Sequence, residues 1–199
     1  MACRAVIQAS GRAIRAVHRH DTDAYTEHVS RAAAELRRAQ EVLAPYPGVY
    51  YAGFLHDAAK EYAEARLTAA LVESAVAALD VGRVPERPAC VGEHAPELPD
   101  ATTLGVGLPA WLNGLAEAAS ELRRHLLDRL RAGELAVAEE LLTAMEDAYD
   151  LLVTVEYPDA ITGGLRRSAD SLRAVLERSR SDLTLTLVQA RLQAALERP

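Results

Sequence analysis

The sequence predicts an all-α protein, a single-domain antiparallel bundle of about seven helices spanning 1–199. Three observations carry this expectation. Apolar residues recur at three- and four-residue intervals almost from end to end, while the strict alternation of a half-buried strand is nearly absent. Half of the residues are hydrophobic but only 5% are aromatic, so the apolar mass is mostly Ala, Leu and Val, most of it helix-compatible. The prolines fall between the periodic stretches or at their edges, which is where helices start and stop.

The elements follow in order. Residues 2–20 place Val6, Ile7, Ile14 and Val17 at helical intervals. Asp21-Thr22-Asp23 then supplies a break or cap. Residues 22–44 continue with Tyr25, Val29, Ala32, Leu36 and Leu43, and Pro45 and Pro47 end the run because proline lacks the N–H a helix interior needs. Residues 48–79 read as one long helix through Phe54, Leu55, Tyr62, Leu67 and Leu71. From 80 to 107, four prolines and four glycines predict a long loop, a length that is often functional or mobile. Pro109 suits the first turn of the next helix, which runs to about Arg131 and breaks at Gly133. A helix over 134–155 follows, then a break at Pro158 and Gly163-Gly164, then helices over 164–178 and 181–196.

Composition excludes several classes. No run of 18 apolar residues exists, so no transmembrane helix is expected. Arg4, Arg12 and Arg15 interrupt each apolar stretch near the N-terminus, which does not suit a secretory signal. Cys3 and Cys90 make neither a disulfide framework nor a zinc site. A cytoplasmic location is the simplest expectation. The net charge is -7, so any contact with nucleic acid must come from a local basic patch.

Two helices carry carboxylates on one face. Asp57, Glu61 and Glu64 sit at i, i+4 and i+7 on the third, and Glu117 and Glu121 at i, i+4 on the next, with His125 one turn on. Side chains at these intervals are surface neighbours. Acidic pairs of this kind usually belong to a solvated face. Here they are set among Ala58, Ala59, Tyr62, Ala63 and Ala65, and among Leu115, Ala116, Ala118, Ala119 and Leu122. Acids are rarely buried without a partner. If the two helices pack together, Glu61, Glu64, Glu117 and Glu121 converge, and a hard cation such as Mg²⁺ or Mn²⁺ would relieve their repulsion. The chemistry that follows is metal-assisted phosphodiester hydrolysis.

These same residues carry a family likeness. Lys60-Glu61-Tyr62-Ala63-Glu64-Ala65 resembles the Gln-Glu-Tyr-x-Glu-Ala motif of the translin superfamily, especially its translin-associated factor X (TRAX) branch and archaeal relatives. The block from Trp111 to Arg124 resembles that family's Tyr-Leu-x-Gly-x-x-Asp-x-x-x-Glu-Leu-x-Arg block, and Gly164 to Arg173 resembles its late helix. Ser10-Gly11-Arg12-Ala13-Ile14 resembles its early Ser-Arg-x-Ile element, with Gly11 inserted. The resemblance implies a translin-like helical bundle that assembles into a homo-oligomeric ring or barrel, as large as an octamer. It also implies binding of RNA or single-stranded DNA in an internal cavity and, in the TRAX branch, Mg²⁺-dependent endoribonuclease activity. Glu61 and Glu64 fall on the two motif glutamates and Glu121 on the later one. Glu117 stands where the block has Asp, which keeps the carboxylate but lengthens it by one methylene. The markedly basic segment of translin proper is replaced here by Tyr51-Ala52-Gly53-Phe54-Leu55-His56-Asp57, which favours a catalytic TRAX-like role over pure binding.

A polyanion needs cations beside the acidic site. Arg12, Arg15 and Arg19 share one face of the first helix, in a cluster with His18 and His20; Lys60, Arg123 and Arg124 are the other candidates. With one Phe and one Trp in the chain, recognition by base stacking is not favoured. The leading expectation is a metal-dependent endoribonuclease with Glu61, Glu64, Glu117 and Glu121 as both metal ligands and catalytic residues, and Asp57 just outside that set. Two alternatives stay open: a non-catalytic translin-like nucleic-acid binder, and an all-α nucleotide pyrophosphatase, which also clusters acids on paired helices.

Overall fold

The computed structural model describes residues 2–80 and 98–197. Among them the protein is all-α, with six long helices and three short ones: α1 (Ala2–His18), α2 (Thr22–Leu43), the short α3 (Pro47–Tyr50), α4 (Phe54–Asp80), the short α5 (Ala101–Leu104), α6 (Leu108–Ala132), α7 (Leu135–Val153), the short α8 (Asp159–Thr162) and α9 (Leu165–Leu196). The expected break at Asp21 is a helix cap: its carboxylate accepts a hydrogen bond from Ala24 N at 3.0 Å, satisfying one of the donors a helix start leaves free. Gly133, at φ +78°, closes α6 in the left-handed conformation that only glycine adopts without strain.

Two expected boundaries move. The helix read over 48–79 starts at Phe54, because Gly53 at φ +97° turns the chain out of the short α3. The two helices read over 164–178 and 181–196 are one, α9. The gap expected at Ser179 and Arg180 does not occur, since neither residue removes a backbone donor. Ser179 Oγ donates to Val175 O at 2.9 Å, so the hydroxyl turns back onto its own helix and the ladder continues. Within the expected loop, Asp100 caps the single turn of α5 by accepting from Thr103 N at 2.6 Å. Trp111 Nε1 ties α6 back to Pro99 O at 2.8 Å. The rest of that loop, with Cys90 and His94, lies outside the described residues.

Helices α4 and α6 are the centre. α4 packs against α1, α2, α6 and α7, and α6 against α4, α7, α8 and α9. Leu55, Ala58, Tyr62, Ala63, Leu67 and Leu71 of α4 and Leu112, Leu115, Ala119, Leu122 and Leu126 of α6 belong to one buried cluster. A helix surrounded by others is apolar on most sides, so the few polar groups it does bury need partners. Asn113 has them. Its Nδ2 donates to Thr162 O at 2.7 Å and Pro109 O at 2.8 Å, and its Oδ1 accepts from Ser168 Oγ at 2.7 Å. That single side chain therefore holds α8 and α9 against α6. Asn113→Ala is expected to lower unfolding stability by about 2 kcal/mol, since it strands buried polar groups as well as losing their bonds. Urea titration checks this, and an unchanged midpoint would show that water replaces the amide at no cost.

No helix among the described residues is long and apolar enough to cross a membrane.

Candidate metal centre

The approach of α4 and α6 is set by Gly114. A Cβ there would lie 2.9 Å from Ala63 Cβ, 3.0 Å from Glu64 N and 3.0 Å from Lys60 O. These are backbone and near-backbone atoms of α4, which cannot swing aside. Only glycine lets the two helices come this close, and they meet at the turn that carries Lys60, Glu61 and Glu64. Glu117 follows one turn later on α6.

The result is convergence. Glu61, Glu64 and Glu117 each place a carboxylate oxygen within 4.8 Å of the others. Oxygens around an octahedral ion with ~2.1 Å bonds stand ~3 to ~4.2 Å apart, a span that small side-chain rotations reach from here. The all-oxygen donor set suits Mg²⁺ or Mn²⁺. Glu64 is the innermost, 8% exposed. Burial, and then repulsion from Glu117, Glu61 and Glu121, push its carboxyl up to about 8. Glu61 is raised as well, first by burial. Lys60 enters the same space: its Nζ lies 2.6 Å from Glu117 Oε1 and 3.8 Å from Glu61 Oε1. Burial works against its charge, but the hydrogen bond to Glu117 and the surrounding carboxylates outweigh that and raise its pKa. Asp57 is exposed and acts on Glu61 only through its charge.

Glu121 is not one of the three. Its Oε2 accepts from His18 Nε2 of α1 at 2.7 Å, and that hydrogen bond, outweighing partial burial, holds its carboxyl below the usual range. It still adds to the field at Glu64. His18 stacks on His125 with ring centroids 4.7 Å apart. His125 is 3% exposed, and burial followed by repulsion from His18 and His20 lowers it to about 4. The imidazole pair backs Glu121 as a neutral ring behind a ring that donates to the carboxylate.

The expected cationic face divides. Arg12 and Arg15 stand exposed on α1, and Arg19 stands exposed just past its end. His18 does not share their face. It falls four residues after Ile14, on the side of α1 that is buried, and helical spacing alone is the signal that separates it from the arginines. Arg124 is exposed and its charge reaches Glu121. Arg123 points elsewhere, pairing with Asp182 Oδ2 at 2.7 Å and Ser179 Oγ at 3.1 Å on α9.

The described residues thus form a helical bundle whose two central helices bring three carboxylates together at one partly buried point. No family model matches the chain. An uncharacterized protein of Methanocaldococcus jannaschii is 32% identical over 88 residues, which is 44% of this chain and 39% of that relative, so the likeness spans well under half of the relative's length. Two solved structures are similar over nearly all of the chain. The crystal structure of AfC3PO has a TM-score of 0.71 at 26% identity, covering 96% of this chain and 88% of that one. AfC3PO in complex with duplex RNA has a TM-score of 0.70 at 26% identity, covering 96% and 87%. The crystal structure of apo-NeC3PO shares the fold, with a TM-score of 0.69 at 18% identity over 93% of this chain and 86% of that one. These C3PO chains are of the translin/TRAX family, and the likeness over nearly the whole chain supports a translin-superfamily protein.

Proposed function

We propose that the protein binds RNA and cleaves it as a divalent-metal-dependent endoribonuclease of TRAX-like type. The observation that supports this most is the meeting of Glu61, Glu64 and Glu117 between α4 and α6, in a fold similar to one found with duplex RNA. Glu61, Glu64 and Glu117 would hold Mg²⁺ or Mn²⁺. The ion would supply Lewis acidity at a phosphodiester and acidify water. The chain's own residues do the rest. Glu64, the most buried, would have to give up its proton to serve as a ligand. Glu121 stays ionised because His18 donates to Oε2, which leaves it as a proton acceptor beside the three. Arg12, Arg15 and Arg19 offer exposed charge to an RNA backbone. A single-stranded DNA substrate and assembly into a homo-oligomer, as large as an octamer, belong to the same reading. Leu185, Val188, Leu192 and Leu196 are exposed along the end of α9, which supports burial against a second copy.

Single-stranded RNA and Mg²⁺ test the proposal directly. Glu61→Gln and Glu117→Gln should each slow cleavage by about tenfold or more, as loss of groups that hold a metal does. Rates equal to wild type would reject the assignment. The second reading, a binder without cleavage, is favoured by one contact: Lys60 already neutralises Glu117. It predicts salt-sensitive gel shifts in EDTA and no cleavage when Mg²⁺ is added.

A further inference from the structure

Lys60 is the only lysine in the chain, and its ammonium sits among the carboxylates that would take a metal. At 2.6 Å from Glu117 Oε1 and 3.8 Å from Glu61 Oε1, it uses the same oxygens. A dication with ~2.1 Å bonds to those oxygens would stand within a few ångströms of the ammonium, and the two like charges cannot share so small a space. The lysine has somewhere to go. Its side chain is 22% exposed, and its four-carbon stem is flexible while an ammonium is well solvated. Glu64, in contrast, is buried where α4 crosses α6 beside Gly114.

We propose that Lys60 is a built-in occupant of the metal centre: its ammonium holds Glu61 and Glu117 until a divalent cation displaces it, so the protein alternates between a lysine-closed and a metal-loaded state. The inference rests on the metal-centre reading above and adds a competitor to it. In the closed state the acidic cluster is compensated and the bundle folds without metal. In the loaded state the freed ammonium faces outward, where an RNA phosphate can replace the carboxylate it lost.

The test is Mn²⁺ binding without RNA, measured by calorimetry and by the loss of the free-ion EPR signal. Lys60→Gln and Lys60→Met should each bind Mn²⁺ about tenfold more tightly than wild type, since the ion no longer breaks a charged hydrogen bond to enter. Arg129→Gln, which removes a cation held by Glu134 at the far end of α6, controls for net charge and should bind as wild type. Lys60→Gln affinity equal to or below wild type, with helical circular dichroism intact, overturns the proposal and leaves the metal centre standing if Glu64→Gln abolishes binding. Binding that survives Glu64→Gln, or that is absent from wild type and Lys60→Gln alike, overturns the metal centre and the lysine competition together.

Discussion

Gly114→Val is expected to lower unfolding stability by about 3 kcal/mol and to abolish Mn²⁺ binding. Two effects oppose each other at this position. Glycine inside a helix is a weakness, and replacing it at an exposed site gains up to about 1 kcal/mol from helix propensity. Here the new Cβ would lie 2.9 Å from Ala63 Cβ and 3.0 Å from both Glu64 N and Lys60 O. Overpacking of this kind costs about 1–3 kcal/mol per site, and more when the obstacle is backbone. The clash wins, and a β-branched side chain enlarges it. Relief requires α4 and α6 to move apart, which also separates Glu117 from Glu61 and Glu64. Chemical denaturation reads the first effect and calorimetry with Mn²⁺ the second. Gly114→Ala should show both in weaker form. An alanine variant more stable than wild type would mean that the helices are not in contact here.

In EDTA, the wild-type protein should lose stability as the pH rises from 6.5 to 8, by about 2 kcal/mol, and Glu64→Gln should lose little. Glu64 titrates near 8 when folded, against 4.5 in the unfolded chain. A carboxyl raised on folding binds more protons in the native state, so its contribution is complete below 4.5 and disappears as the pH climbs through the folded value. One proton corresponds to about 1.4 kcal/mol per pH unit. His125 has the opposite sign. Its folded value is about 4 against 6.5 unfolded, so its contribution is present above 6.5 and lost as the pH falls towards 4. The two slopes oppose each other between 4.5 and 6.5. Above 6.5 only Glu64 is left, which is why the decline appears there. Glutamine keeps the shape of the side chain and cannot ionise. Thermal unfolding across this range is the measurement, and a wild-type slope retained in Glu64→Gln would place the titrating group elsewhere.

Much of the fold was legible because helix signals are local. Apolar spacing located the six long segments, and Asp21, Pro109 and Gly133 marked ends that the structure keeps. The errors were local too. Gly53 lies inside an apolar stretch that reads as helix, and the gap expected at 179–180 is absent, because a serine that bonds its own helix need not end it. At the site, the acids could be paired by helical spacing on each helix separately. Their small apolar neighbours suggested an interior position, and Glu64 has it.

The chain by itself determined that α4 and α6 would exist and that each would present carboxylates on one side, because a helix's periodicity is written in a few consecutive residues. Tertiary structure decided which of those carboxylates meet. Gly114 brings Glu117 to Glu61 and Glu64; His18, 103 residues before Glu121, draws that carboxylate to itself; Asp182 on α9 takes Arg123. The reason is range. A charged side chain chooses its partner by distances of a few ångströms across helices that are far apart in sequence, and no spacing along the chain encodes that choice.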